Sequence, residues 1–190
     1  MTGLSRPSLL SRTLALVPPT VLLVAQHASG AFDAYLKIGD IQGESTDAKH
    51  PGWIELDSVQ WGVGRGISSA VGGNNRAASA PSISELTLTK RLDKSSPSIF
   101  LNAVGGSPTI ATVTLELVHQ ASQVVFYRIT LSNVLVSGQS QSVASGADVP
   151  MESVSLNFTK IKMEYFFQDA KGVTTAIPAV GWDLALQMKF

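Results

Sequence analysis

Four side chains between Gly39 and Gly52 are of types that do chemistry: Asp40, Glu44, Asp47 and His50. Three carboxylates and an imidazole invite a metal reading. A calcium loop, however, needs oxygen ligands at alternate positions around a glycine turn, and this spacing does not supply them. The segment reads instead as a solvated turn whose acids bond nearby amides. Gly62, Gly64 and Gly66 suggest a phosphate-cradling loop, but neither a Walker lysine nor the dinucleotide spacing is present, and no helix follows to offer its N-terminus. Serines are plentiful, yet no nucleophile-elbow motif stands anywhere. His119 ends a strand on the parity of Leu117, as a packed, partly buried imidazole would. The absence of cysteine removes thiolate nucleophiles, thiolate metal sites and disulfides together. These residues point away from an enzyme.

The elements that would position such groups are mostly strands. Met151 to Phe167 is the organising stretch. Val154, Leu156 and Phe158 alternate with Ser153, Ser155, Asn157 and Thr159, the period of two of a half-buried strand. The phase then switches, and Ile161, Met163, Tyr165 and Phe167 take the apolar positions. Such a switch demands a bulge or corner near Thr159–Lys160. Bent, half-buried strands are what barrels and packed sandwiches require. Trp53 to Gly62 repeats the device: Ile54 and Leu56 share one parity and Val59 and Trp61 the other, so an irregularity falls near Asp57–Ser58.

Other segments agree. Ala31 to Ile38 opens with Ala34, Leu36 and Ile38 on one face, and Ile83 to Arg91 alternates through Leu86 and Leu88. Thr109 to His119 puts Val113, Leu115 and Leu117 inward, and Val124 to Val136 aligns Tyr127, Ile129 and Leu131. Gly62 to Pro81 has no period and reads as a long loop, better suited to meeting another protein than to chemistry. One helix is expected: Ser96 caps it, Pro97 sits in its first turn, Gly105-Gly106 ends it, and Ile99, Phe100, Ala103 and Val104 form a stripe for docking on the sheet. Ser137 to Asp148 reads as a polar loop, and Val173 to Leu186 as a last strand pair or an extended tail. The fold class is mainly all-β, an antiparallel barrel of two packed sheets with one flanking helix.

Composition bounds the rest. The chain of 190 residues is 44% hydrophobic and 15% charged, enough for one sizeable core. With 14 basic and 14 acidic residues it carries no electrostatic footprint for nucleic acid. Residues 1–30 read as a secretory leader: Arg6 and Arg12 precede the apolar run Thr13 to Ala25, and Ala28-Ser29-Gly30 supplies small residues for cleavage. The domain is then 31–190. An uncut membrane anchor or an early translation start are the other readings of this segment.

Taken in order, FDAYLKIGDIQGESTDAKH from Phe32, WIELDSVQWG, LTKRLDKSSPSIFLNAVGG, YRITLSNVLVSG, ESVSLNFTKIKMEYFFQD and a terminal GWD resemble the Hcp family, tube proteins of the bacterial type VI secretion system. The resemblance runs from about Ala31 to Asp183. It implies a barrel with one flanking helix that assembles as a hexameric ring. Rings would stack into a tube inside a contractile sheath, tipped by the spike protein VgrG, with effectors in the lumen. It also implies no cofactor, no metal and no catalysis. By the family pattern, Gly62 to Pro81 is the ring-stacking loop, with Gly62, Gly64, Arg65, Gly66, Asn74, Asn75 and Arg76. The helix with Ser96, Pro97, Ile99 and Phe100 would lie at the subunit boundary, and Gln60 would face the channel. The leader departs from the family pattern, since tube subunits assemble in the cytoplasm. It motivates a second reading, an exported binding module built on the same barrel.

Overall fold

A computed structural model of the chain describes residues 31–68, 77–106, 109–146, 148–169 and 171–190. The expected leader, and Asn74, Asn75 and Arg76, lie outside the described residues.

The first strand is β1 (Phe32–Ile38). A kinked segment follows as β2 (Ile54–Leu56) and β3 (Ser58–Gln60). Four two-residue strands come next: β4 (Val63–Gly64), β5 (Ile67–Ser68), β6 (Ala77–Ala78) and β7 (Ser82–Ile83). Then come β8 (Leu86–Arg91) and α1 (Ser96–Gly105). The long strands are β9 (Ile110–His119), β10 (Val124–Ser142), β11 (Met151–Asn157) and β12 (Lys160–Gln168). Three short ones close the chain: β13 (Thr174–Ala176), β14 (Val180–Asp183) and β15 (Met188–Lys189).

Every named pairing is antiparallel, and β10 belongs to two sheets. Its first half lies between β9 and β12, in a sheet ordered β2-β1-β9-β10-β12-β14-β15. Its second half pairs with β11, which continues to β8 and β3. The kink at Asp57 joins the two sheets, since β2 pairs with β1 and β3 with β8. The Asp57 amide donates to the Thr89 carbonyl, so the kink itself is tied to β8. The pairing thus runs round a barrel.

Both phase switches expected from the sequence fall where the chain changes sheets. Phe158 and Thr159 separate β11 from β12, and Asp57 separates β2 from β3. A strand that turns a corner must exchange its inward parity, because the core changes side relative to its pleat. Val154, Leu156, Phe158 and Ile161 are accordingly all buried. They join Leu36, Ile38, Ile54, Leu86, Leu88, Val113, Leu115, Ile129 and Leu131 in one core.

Three expectations need correction. The segment from Ser137 is not a loop, for β10 continues to Ser142 against β11 past a bulge at Ser137. Its small polar residues pair by backbone, which leaves no hydrophobic period to read. The loop after Gly62 is a slender hairpin arm instead: β4 pairs with β7 and β5 with β6. Gly62 and Gly66 donate their amides to the Ser84 and Ser79 hydroxyls at 2.8 and 2.9 Å, so serine side chains brace a ladder that lacks packing. Lastly, Val173 to Leu186 supplies two strands that do not pair with each other: β13 and β14 both line the edge of β12, and β14 pairs onward with β15.

Candidate functional site

The sheet of β3, β8, β11 and the second half of β10 buries one face and presents the other. Pairing register fixes what stands there. One row across the four strands reads Ser58, Thr89, Ser153, Ser140, and the next reads Gln60, Thr87, Ser155, Gly138. Alternation sends Val59, Leu88 and Val154 to the core, so these rows face out. Ser58 and Thr89 hydroxyls bond at 2.6 Å, and Thr87 and Ser155 at 3.4 Å. No charge interrupts the two rows. Gln60 stands exposed within them. The outer edges of β3 and of β10 beyond Val134 carry no partner strand among the described residues. Hydroxyls and amides bind by short-range hydrogen bonding, not by long-range attraction, so this wall is polar without being adhesive.

The arm projects from one end of β3. Gly62, Gly64, Arg65 and Gly66 are all exposed on it, as are Val63 and Ile67.

The helix divides its residues differently from expectation. Ile99 is fully buried and Ala103 packs against the core, but Phe100 and Val104 are exposed, together with Leu101. A stripe of i, i+1, i+4, i+5 is too wide for so short a helix lying on a barrel, and only its inner half docks. Pro97 is exposed at the helix start. Ser96 does not cap the helix. Ser95 holds that position without a side-chain cap bond, and Gly106 ends the helix in the left-handed region at φ 59°.

Ser96 belongs instead to a buried polar network under the helix. Lys90 Nζ donates its three protons to Glu152 Oε1 at 2.6 Å, Asp93 Oδ1 at 2.8 Å and the Arg91 carbonyl at 2.8 Å, with Ser96 Oγ 3.2 Å away sharing one of them. Ser96 Oγ donates to Glu152 Oε1 at 2.7 Å, and Gln139 Nε2 to Glu152 Oε2 at 2.6 Å. Burial pushes the Glu152 carboxyl up, but the Lys90, Ser96 and Gln139 bonds outweigh it and hold the group below the usual range. This network ties β8, β10, β11 and α1 together, and explains why a lysine occupies the inward parity of β8.

A second polar cluster lies on the opposite face of the other sheet. His50 is buried, with Nδ1 2.7 Å from Asp47 Oδ1 and Nε2 2.8 Å from Glu116 Oε2. Its ring stacks on Tyr35 at 4.4 Å and meets Trp53 edge-on. Arg128 Nε reaches Glu116 Oε1 at 2.6 Å. The His50 bond, with the Lys49 and His50 amides, holds the Asp47 carboxyl below its ordinary value. Burial, then the Asp33, Asp47 and Glu55 charges, push the Tyr35 phenol up to about 12.

The solvated-turn expectation for Gly39 to Gly52 therefore holds for the amide bonds of Asp47 and fails for His50, which the turn folds inward. Nothing in the period marked Glu116 as its partner, because Glu116 sits on the face opposite the core and is covered by a distant loop. His119 packs on Phe126 with ring centroids 4.3 Å apart. Among the described residues no group of three or more histidine or acidic side chains is placed to hold a metal ion.

These surfaces have counterparts in known proteins. Residues 35–165 match the family model described as type VI secretion system effector, Hcp. Protein hcp1 of Pseudomonas aeruginosa is 33% identical over 157 residues, covering 81% of this chain and 96% of that protein. A solved structure of a type six secretion system protein superposes with a TM-score of 0.80 at 32% identity, covering 84% of this chain and 100% of that one. Hcp1 from Salmonella typhimurium follows at 0.68 and 26%, covering 84% and 99%. The chain belongs to the Hcp family of secreted type VI secretion tube proteins, and its role is structural, not enzymatic.

Proposed function

We propose that this chain assembles as hexameric rings that stack into the secretion tube, with the hydroxyl face of the β3-β8-β11-β10 sheet lining a lumen that carries effectors. The observation that carries this reading is two registered rows of that face, serine, threonine, glutamine and glycine without a charge, with Arg91 standing only in the row beyond them. A conduit must let varied polypeptides slide, and an uncharged hydrogen-bonding wall binds none of them strongly. Gln60 is the lumen-facing group on β3, and the open edges of β3 and β10 leave room for side-by-side copies. The arm, with Gly62, Gly64, Arg65, Gly66, Asn74, Asn75 and Arg76, reaches the next ring. The helix contributes at the subunit boundary through exposed Pro97 and Phe100, which Ser96 and Ile99 hold in place from beneath. The sheath, the spike protein VgrG and effectors are the partners.

Negative-stain imaging of the purified domain tests this. Annuli and short filaments are expected, and deletion of 64–80 should leave annuli while abolishing filaments. A domain that stays monomeric by light scattering at high concentration refutes the assembly, and loss of the annuli on deletion refutes the separate role of the arm. N-terminal sequencing of periplasmic and cytoplasmic protein separates this reading from an exported binding module: a chain beginning at Ala31 in the periplasm would support the module, and an intact Met1 in the cytoplasm would remove it.

A further inference from the structure

The arm has a charge that its surroundings do not balance. From Ser58 to Ser84 the sequence holds two ionisable side chains, Arg65 and Arg76, and both are basic. Arg65 is exposed, and Val63 and Ile67 beside it are exposed apolar groups at 65% and 50%. Ile83 at the base of the arm packs against the core, but the described residues from Gly62 to Ser68 are all exposed.

Elsewhere on the barrel a groove of about 580 Å³ has the opposite character. Asp33, Glu44, Glu55, Asp57 and Asp93 line it, with Arg91 as the one basic lining group; Asp93 is already paired with Lys90, so four acids face Arg91. Leu56, Leu92 and Val149 add apolar surface to its lining. Arg91 is itself mostly exposed and stands 4.0 Å from Asp57, a loose pair that an incoming guanidinium can displace. The Tyr35 phenol on the groove wall senses the same field, being raised by burial and by Asp33, Asp47 and Glu55. Among the described residues, none of the arm lines the groove in the same subunit.

We propose that this acidic groove, with apolar groups in its lining, is the receptor for the arm of a second copy of the chain, with Arg65 set among Glu55, Asp57 and Asp33, and Ile67 on Leu92 and Val149. The proposal rests on the reading of the arm as the ring-to-ring contact and supplies its landing site. The contact is heterologous, arm on one side and groove on the other, so it propagates along a stack instead of closing a pair. Apolar burial holds the arm, and complementary charge sets its register and speeds its capture.

The absence of cysteine from the chain makes the test direct. Full chains carrying Ile67→Cys are mixed with full chains carrying Leu92→Cys under mild oxidation. A disulfide-linked dimer is expected from the mixture and not from either variant alone. Glu55→Lys with Asp57→Lys in the Leu92→Cys chain should lower its yield about tenfold or more, because like charges then meet across the contact. Arg65→Glu in the Ile67→Cys chain should recover much of that loss. If wild-type rings stack and the crosslink does not form, the groove is not the receptor while the tube stands. If the crosslink forms but imaging shows neither rings nor filaments, the docking stands and the tube reading falls. Absence of both overturns both. A crosslink that charge reversal leaves unchanged refutes the pairing of Arg65 with the acids.

Discussion

Replacing Lys90 with methionine is expected to be among the most damaging single changes to the barrel that leaves its surface untouched. Lys90 and Glu152 are both fully buried, with Nζ and Oε1 2.6 Å apart. Lys90→Met leaves Glu152 with Ser96 Oγ, Gln139 Nε2 and a long bond from Gln141 Nε2 as donors, and removes the only cation bonded to it among the described residues. Stranding one member of a buried pair costs about 3–5 kcal/mol. For a domain of this length that is a fall in Tm of roughly 6–20 °C. Removing both charges with Lys90→Met and Glu152→Leu should recover most of the loss, since an apolar pair of similar volume costs no desolvation. The loss should also depend on pH. In the parent, the depressed Glu152 carboxyl contributes stability above its ordinary pKa of 4.5, lost as pH falls through its lower folded value. Without Lys90 that carboxyl must rise, so acidification should rescue Lys90→Met relative to the parent. Guanidinium denaturation at pH 7 and pH 4.5, at fixed protein concentration, reads all three chains. A cost below about 1 kcal/mol for Lys90→Met, or a double variant as unstable as the single, refutes the account of a charge-paired core.

Three further outcomes follow from the geometry. Asp47 and Asp183 are both held below the ordinary 3.8, Asp47 chiefly by His50 and Asp183 chiefly by the Leu186 amide and Lys160. Their contribution is complete above 3.8 and is lost as pH falls through their folded values, so Asp47→Asn should flatten the acid limb of the Tm–pH curve; an unchanged limb would exclude Asp47 as a contributor. Gly43→Ala and Gly181→Ala should differ sharply: a Cβ at Gly43 lands on the Trp53 backbone, whereas at Gly181 its nearest neighbours are atoms of the exposed Phe190 ring, which can move aside. The first should cost about 1–3 kcal/mol or more by thermal melting and the second less than about 1 kcal/mol, and equal costs would refute the distinction. Ile99→Ala should lose about 2–5 kcal/mol of fold stability. Phe100→Ala, at an exposed site, should stay within about 0.5 kcal/mol while weakening self-association by light scattering. A reversed pattern would place the helix the other way round.

The sequence alone determined the β class, the two corners and most of the core, since a half-buried strand must alternate and a strand that changes sheets must switch parity. Val154, Leu156 and Ile161 were legible for that reason, and the ordered motifs carried the family. Residues without a period were not legible: the bracing serines of the arm and the polar end of β10 are held by backbone pairing that leaves no hydrophobic trace. Tertiary structure decided the pairings between residues far apart in the chain. It set Lys90 on Glu152, folded His50 between Asp47 and Glu116, turned Phe100 outward, and aligned hydroxyls from four strands into one wall. The physical reason is that burial is a property of what covers a side chain, and a neighbour 62 or 66 positions away is invisible to any local pattern.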